Sequence, residues 1–185
     1  MGGGAAGSWT RIDREVLHSG PFIRLLSDTV QGPYEPAFGY EHIQVADSVR
    51  TVALDDEHRL LVVEDDFYLT GGRMPHLPGG GVEPGEEPEE AARRELEEET
   101  GLRAARWTPL GRIHPLPSST AAATHLFLAS GLSPGRMARD EAEAGMTVHR
   151  CPLPEAVDMV VSGAITEAGS VAAILLASRM PSGTP

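Results

Sequence analysis

The chain has 185 residues, 15 of them basic and 27 acidic, so its formal charge at neutral pH is −12. Its length and its 41% hydrophobic composition predict a globular protein with a core of ordinary size. The acidic surface disfavours nucleic-acid binding, the longest apolar run is too short to cross a bilayer, and a single cysteine excludes an intramolecular disulfide framework. We therefore expect a cytoplasmic protein that binds neither nucleic acid nor membranes.

The first half of the chain is predicted to be rich in strands. Residues 1–8 are interpreted as a disordered tail, and residues 9–185 as a single domain. Runs typical of strands occupy residues 18–30, 40–46, 49–54 and 59–64. The last two runs flank a turn-forming segment and so predict a hairpin. A loop rich in glycine and proline, residues 70–85, then leads to a helix at residues 88–100, which Gly101 ends.

The second half mixes strands and helices. Strands are predicted at residues 106–114, 124–129 and 147–151, with a polar loop at residues 133–145. Two helices follow, at residues 154–162 and 166–180. In the second helix one stripe is predicted to pack on the sheet, formed by Val171, Ile174, Leu175 and Met180. This alternation predicts an α/β or α+β sandwich with a mixed sheet.

Acidic side chains crowd residues 83–99, which hold nine of the 27 in the chain. Glu89 and Glu90 lie in the first turn of the predicted helix, where the helix dipole favours carboxylates. The last two turns hold four more, at Glu95, Glu97, Glu98 and Glu99. There the dipole disfavours anions, and each like-charged pair three or four residues apart costs roughly 0.2 to 0.5 kcal/mol.

A bound divalent cation reverses the sign of this charge argument. Side chains at positions i, i+3 and i+4 share one helix face, so Glu95, Glu98 and Glu99 can converge on a cation that prefers oxygen ligands. The alternative interpretation is a solvated acidic face, which is what most runs of charge form. The charges alone leave both open, and the spacing of the surrounding residues decides between them.

The segment at residues 80–102, GGVEPGEEPEEAARRELEEETGL, resembles the Nudix box without a gap. Its matching positions are Gly80, Glu86, Arg94, Glu95, Leu96, Glu98, Glu99, Gly101 and Leu102. With average residue usage and allowance for the local excess of glutamate, a chance match is on the order of 10⁻⁶ per window. The chain is therefore identified as similar to Nudix hydrolases, and its layout looks most like the ADP-ribose pyrophosphatase group.

The resemblance implies a Nudix-type α/β/α sandwich with a β-rich N-terminal extension, and a homodimer. It implies metal-dependent hydrolysis of the pyrophosphate bond of ADP-ribose or a related nucleoside diphosphate sugar, giving a nucleoside monophosphate and a phosphorylated X group. The alternatives are hydrolysis of nucleoside triphosphates and a non-catalytic sensor of nucleotide sugars. Residues 62–68 depart from the Gln-Tyr-Arg segment of the ADP-ribose group, so the X group and the nucleobase stay open.

The resemblance also implies roles for particular residues. One to three Mg²⁺ or Mn²⁺ ions are expected, bound by Glu95, Glu98, Glu99 and the main-chain oxygen of Gly79 or Gly80. Arg94 is expected to orient a glutamate. Glu86 is expected to be structural or a partner of Arg94, and not a metal ligand. The general base is expected in the late acidic loop, with these candidates: Glu141, Glu143, Asp140 or, if that loop is not catalytic, Glu95.

Weaker candidates surround the box. Arg73 and His76 precede it closely enough to contact phosphate, although each can equally be a surface residue. Ser118, with His114 and Ser119, lies in the loop expected to shape the X-group pocket. Three aromatic residues, Tyr34, Phe38 and Tyr40, are expected to pack in the core or a dimer, with stacking on a base as the alternative.

Overall fold

The structure, a computed structural model, describes residues 9–33, 35–139 and 145–180. The predicted tail at residues 1–8, Tyr34, and the acidic candidates Asp140, Glu141 and Glu143 lie outside the described residues. The chain divides into two compact units, residues 1–46 with 116–122, and residues 47–115 with 123–185. The single domain predicted for residues 9–185 stays a prediction. Within the described ranges, no helix has the length and apolar character needed to cross a membrane.

The first unit is a three-stranded antiparallel sheet. Its strands are β1 (Thr10–Ser19), β2 (Arg24–Gln31) and β3 (Phe38–Gln44), paired in the order β1-β2-β3. The single strand predicted at residues 18–30 is wrong. The chain reverses between β1 and β2, where the N–H of Gly20 donates to the carbonyl of Ile23 at 2.9 Å.

The second unit contains a mixed six-stranded sheet. Its strands are β4 (Ser48–Leu54), β5 (Arg59–Phe67), β6 (Gly72–His76), β7 (Leu102–Ile113), β8 (Thr124–Pro134) and β9 (Thr147–Pro152). The order is β6-β5-β4-β8-β7, with β9 paired to β5. β4 and β8 run parallel along their whole register, whereas the other pairs are antiparallel. The predicted hairpin between β4 and β5 is short, with Leu54 opposite Leu60.

The loop predicted at residues 70–85 is wrong for its first part, because Gly72–His76 form strand β6. Its composition, with Gly72 and Pro75, is typical of a loop. It lies at the edge of the sheet, where proline is tolerated because one side of the strand needs no hydrogen-bond donor. The register pairs Val63 of β5 with His76. The main chain therefore enters the box segment from a strand instead of an irregular loop.

Three helices cover the sheet: α1 (Pro88–Thr100), α2 (Leu153–Val161) and α3 (Ala168–Ala177). The bounds of α1 confirm the prediction, and Gly101 ends the helix in the left-handed conformation with φ of 69°. In α3 the stripe prediction is wrong for Leu175, which is 39% exposed. The buried face consists of small residues and one isoleucine, because these let the helix lie close to β4: Ser170, Ala173, Ile174 and Ala177.

Alternate residues of the central strands point to opposite faces of the sheet. Val52 and Leu60 pack in a core with Ile174 of α3. Their sequence neighbours Ala53 and Leu61 pack on the other face with Leu96 of α1. The predicted α/β/α sandwich with a mixed sheet is therefore confirmed, and the box segment lies on the α1 face.

Candidate active site

Arg94 stands at the centre of the acidic cluster on α1. Its Nε and Nη2 donate to the two carboxylate oxygens of Glu86 at 3.0 and 3.1 Å. Its Nη1 donates to Glu95 at 2.8 Å and to Glu98 at 3.1 Å, and its Nη2 also donates to the carbonyl of Gly81 at 2.9 Å. The bidentate bond from Arg94 lowers the pKa of Glu86, and the same contacts raise the pKa of Arg94. The predicted partnership of Arg94 with Glu86 is present.

Two of the predicted metal ligands, Glu95 and Glu99, are buried, with 9% and 2% of their surfaces exposed. Glu99 accepts a hydrogen bond from the N–H of Gly79 at 2.9 Å. The carboxylate of Glu95 occupies the space next to Gly80, where any Cβ would overlap with it. The helix end and the loop before the box are thus in direct contact, and any side chain at position 80 would displace the carboxylate of Glu95.

The main-chain oxygens predicted as ligands already accept hydrogen bonds. The carbonyl of Gly79 accepts from Nη1 of Arg50 at 2.5 Å, and the carbonyl of Gly80 accepts from the N–H of Val49 at 2.9 Å. Gly79 has a φ of 146°, and a Cβ there would overlap with the carbonyl of Val49. Each carbonyl oxygen has two lone pairs, so one remains for a further ligand.

The donor chemistry of this region fits a hard divalent cation. Carboxylate and carbonyl oxygens are the ligands that Mg²⁺ and Mn²⁺ prefer. Nη1 of Arg94 already serves as a positive group on which Glu95 and Glu98 converge. In the described part of the chain, no group of three or more His, Cys, Asp or Glu side chains is arranged to hold a metal ion.

Arg73 and His76 have other contacts. Arg73 forms ion pairs with Glu64 and Asp66, both at 3.4 Å, and donates to the carbonyl of Gly145 at 3.3 Å. His76 is buried, and its Nδ1 is 2.9 Å from the carbonyl of Leu77, to which it donates. Among the described residues, neither side chain forms a hydrogen bond with the glutamates at the end of α1. Their predicted contacts with substrate phosphates stay predictions.

Two of the loop candidates, Ser118 and Ser119, belong to the first compact unit, whereas His114 belongs to the second. The first unit includes residues 116–122, which contain both serines. The hydroxyl of Tyr40 donates to the carbonyl of Ser118 at 2.6 Å, and the N–H of Ile43 donates to the carbonyl of Ser119 at 2.8 Å. Phe38 contacts Trp9 edge to face, with ring centroids 5.6 Å apart. The bonds from Tyr40 and Ile43 attach the segment to β3, and its predicted role in the X-group pocket stays a prediction.

The sequence analysis missed two charged residues beside the box. Arg50 lies within β4, and Glu167 is the N-cap of α3. Their ion pair has Nε of Arg50 3.0 Å from Oε2 of Glu167. An arginine inside the mostly apolar run VRTVAL was the available signal, because a charge in a strand that is mostly buried needs a partner.

Comparison with known proteins decides the family. A profile described as the NUDIX domain matches residues 45–164. The chain belongs to the Nudix family. An ADP-ribose pyrophosphatase of Mycobacterium tuberculosis is 32% identical to this Nudix chain over 174 residues, which cover 93% of the chain and 84% of the relative. An ADP-ribose pyrophosphatase of Bacillus subtilis is 30% identical over 164 residues, which cover 88% of this chain and 89% of the relative.

A solved structure supports the Nudix fold independently. The crystal structure of an ADP compounds hydrolase superposes with a TM-score of 0.80 at 23% sequence identity and covers 92% of both chains. The sequence prediction of a Nudix pyrophosphohydrolase that resembles ADP-ribose pyrophosphatases is therefore confirmed. Hydrolases of this family generally use divalent metal ions, which agrees with the oxygen donors at the end of α1.

Proposed function

We propose that this Nudix enzyme hydrolyses the pyrophosphate bond of ADP-ribose or a related nucleoside diphosphate sugar. The products are a nucleoside monophosphate and a phosphorylated X group. The observation that carries the proposal is the joint placement of the box residues: Arg94 contacts Glu86, Glu95 and Glu98, and the buried Glu99 contacts Gly79. The names of the two pyrophosphatase relatives favour ADP-ribose as the first substrate to test.

The proposed metal ligands are the carboxylates of Glu95, Glu98 and Glu99 and the main-chain oxygen of Gly79 or Gly80. One to three Mg²⁺ or Mn²⁺ ions there would neutralise the diphosphate and lower the pKa of the attacking water. Arg94 keeps the carboxylate of Glu95 in place, and Glu86 holds the other side of its guanidinium. A rigid carboxylate loses less entropy when it binds a ligand, so this pairing prepares the site for cations.

We propose Glu143 or Glu141 as the general base. The proposal rests on the resemblance to the ADP-ribose group, whose late loop carries two acidic residues at the spacing of Glu141 and Glu143. Both residues lie outside the described residues. Asp140 is a further candidate, and Glu95 is the alternative if the loop is not catalytic. The base would take a proton from the water that attacks a phosphorus atom of the substrate.

The substrate contacts proposed for Arg73, His76 and Ser118 depend on their present partners. Arg73 already neutralises Glu64 and Asp66, so it would contact a phosphate only by exchanging one of these partners. His76 is 3% exposed, so it would act through its neighbour Leu77 more readily than by direct contact. Ser118 would act within the first unit as part of the X-group pocket.

We further propose a cytoplasmic homodimer. Large apolar side chains of the first unit are exposed, including Trp9, Ile12, Val16 and Leu17. Exposed apolar patches of this kind mark interaction surfaces in many proteins. The single cysteine agrees with a reducing compartment. Sedimentation velocity of the purified chain tests the oligomeric state, and a monomer across micromolar concentrations would reject the dimer.

A substrate panel tests the proposed reaction. The purified chain is incubated with ADP-ribose, other nucleoside diphosphate sugars and nucleoside triphosphates, each with Mg²⁺ or Mn²⁺, and products are identified by mass spectrometry. We expect AMP and ribose 5-phosphate from ADP-ribose, and no products with a chelator present. Turnover of triphosphates alone would favour the alternative hydrolase. Binding of ADP-ribose without turnover of any compound would favour a sensor.

A further inference from the structure

A largely shielded ion pair joins β4 to the start of α3. Nε of Arg50 lies 3.0 Å from Oε2 of Glu167, and their side chains are 13% and 19% exposed. Burial by itself would raise the pKa of Glu167, but the charge of Arg50 and the hydrogen bonds from Ser170 and Gly169 outweigh it and lower the pKa to about 2. The carboxyl group of Glu167 is therefore ionised at neutral pH.

Glu167 connects this pair to the loop before the box. Its carboxylate accepts from the N–H of Gly169 at 3.0 Å and from the N–H and the hydroxyl of Ser170, both at 2.7 Å. The same hydroxyl oxygen of Ser170 accepts from the N–H of Leu77 at 2.8 Å. The first turn of α3 is thereby bonded to the main chain two residues before Gly79.

Arg50 reaches the loop at a second point. Its Nη1 donates to the carbonyl of Gly79 at 2.5 Å and to the carbonyl of Val49 at 3.0 Å. The N–H of Gly79 donates in turn to Glu99. Both polar groups of Gly79 therefore have charged partners, Arg50 on one side and Glu99 of α1 on the other.

Arg50 passes close to α3 at a position where the helix has no side chain, Gly169. A Cβ on Gly169 would lie 2.8 Å from Cγ of Arg50 and 2.9 Å from Cγ2 of Thr124. Real Cβ atoms do not approach carbon atoms so closely. The glycine at position 169 therefore allows the stem of Arg50 to pass beneath the helix.

We propose that Arg50 and Glu167 are positioning residues for the metal site. Glu167 orients the guanidinium of Arg50, Arg50 fixes the carbonyl of Gly79, and the N–H of Gly79 then holds Glu99 for its ligand role. A buried ion pair is often replaceable by apolar residues without loss of stability, so its presence next to the box is better explained by orientation than by stability. The inference rests on the proposed function, because it assumes that Glu99 and this loop bind a divalent cation.

The test measures Mn²⁺ affinity of the full chain by electron paramagnetic resonance of free Mn²⁺, together with kcat and KM for ADP-ribose. Loss of a partner that orients a ligand lowers metal affinity by roughly 10- to 100-fold, and we expect this range for Arg50→Met. At limiting Mn²⁺ its kcat falls, and high Mn²⁺ restores part of it while KM for ADP-ribose changes little. Arg50→Lys, which keeps the charge and one donor, should give a smaller loss.

The matched control is Arg59→Met. Arg59 also lies on the central sheet and pairs with Asp55 at 2.9 Å, but its partners are in the turn at residues 55–58. We expect the control to lose thermal stability without any change in Mn²⁺ affinity. Gly169→Ala adds a Cβ against Arg50 without changing charge, and we expect it to weaken Mn²⁺ binding in the same direction as Arg50→Met.

The outcomes separate the two proposals. A wild-type chain that neither binds Mn²⁺ nor hydrolyses any substrate would reject the proposed function itself. A wild-type chain that does both, with a folded Arg50→Met variant whose Mn²⁺ affinity stays within about twofold, would overturn the positioning role. If Arg50→Met does not fold, Arg50→Lys decides: an unchanged Mn²⁺ affinity overturns the role, and a clear loss that high Mn²⁺ reverses supports it.

Discussion

The guanidinium of Arg139 donates two hydrogen bonds to the main-chain oxygen of Glu99, from Nε at 2.8 Å and from Nη2 at 2.6 Å. The last turn of α1 contains no basic residue, so a side chain from a later segment supplies the positive charge that the C-terminal end of a helix favours. Arg94 neutralises part of the same cluster from within the helix. Two arginines therefore stabilise this end of α1, Arg94 through carboxylates and Arg139 through a main-chain oxygen.

Glu99→Gln is expected to lower turnover by more than about 100-fold, because a neutral amide is a poor ligand for a hard cation. Its oxygen can still accept the hydrogen bond from Gly79, so the fold should persist. Steady-state kinetics and circular dichroism check both statements. Glu97→Gln is the matched control, because Glu97 contacts Arg103 at 2.7 Å and the N–H of Arg136 at 2.9 Å. Equal activity of the two variants would remove Glu99 from the metal site.

Arg94→Met is expected to lower the free energy of unfolding by about 2 to 4 kcal/mol, since it leaves Glu86, Glu95 and Glu98 without their shared cation. Mg²⁺ should restore more stability to this variant than to the wild type, because a bound cation replaces the positive charge that the carboxylates have lost. Denaturant unfolding with and without Mg²⁺ measures both effects.

Arg93→Met is the control for Arg94→Met. Arg93 is the preceding residue of α1 and forms an exposed pair with Glu89 at 2.7 Å, next to the ring of Trp107. Exposed pairs contribute about 1 kcal/mol or less, so the control should stay close to the wild type. A loss as large as that of Arg94→Met would show that the stability of α1 does not depend on the contacts of Arg94 with the cluster.

We expect the protonation of His76 to lower the stability of the folded chain in mild acid. Burial lowers the pKa of His76, and the charge of Arg50 lowers it further. In the unfolded chain the histidine has a pKa of about 6.5, so it binds a proton at a pH where the folded histidine does not. Its contribution is fully present above that pH and is lost as the pH falls from about 6.5 towards the folded pKa.

The variant His76→Asn tests this pH dependence. Its amide can replace Nδ1 as the donor to Leu77 but does not titrate. The free energy of unfolding, measured by urea between pH 7.5 and pH 5.5, should therefore fall less steeply in the variant than in the wild type. Identical slopes would contradict the assignment to His76, whatever the absolute stabilities are.

Glu143→Gln is expected to lower kcat by about 10²- to 10⁴-fold with little effect on Mn²⁺ affinity, as for a general base that is not a strong ligand. The acidic limb of the pH–rate profile should disappear with it. Glu141→Gln and Asp140→Asn, measured in parallel, identify which residue of the late loop carries the role. A normal pH–rate profile in all three variants would transfer the role to Glu95.

Short-range patterns predicted α1 and its surroundings well. Pro88 at the start, Gly101 at the end and the box spacing between them are all features of neighbouring residues, and the structure confirms the helix bounds. Strand β6 was missed because Gly72 and Pro75 are typical of loops, and its pairing with β5 is what makes it a strand. Leu175 was misplaced because the buried face of α3 depends on how closely the helix approaches β4.

The box motif, with its regular spacing on one helix, was enough to identify the family and to put Glu95, Glu98 and Glu99 near one another. Contacts between residues far apart in the sequence depend on tertiary packing, so no local sequence pattern predicts them. Arg50 and Glu167 are 117 positions apart, and Arg139 and Glu99 are 40 apart. Such pairs form only when β4, α1 and α3 pack around the same loop, because buried charges must find partners in the space that the fold leaves them.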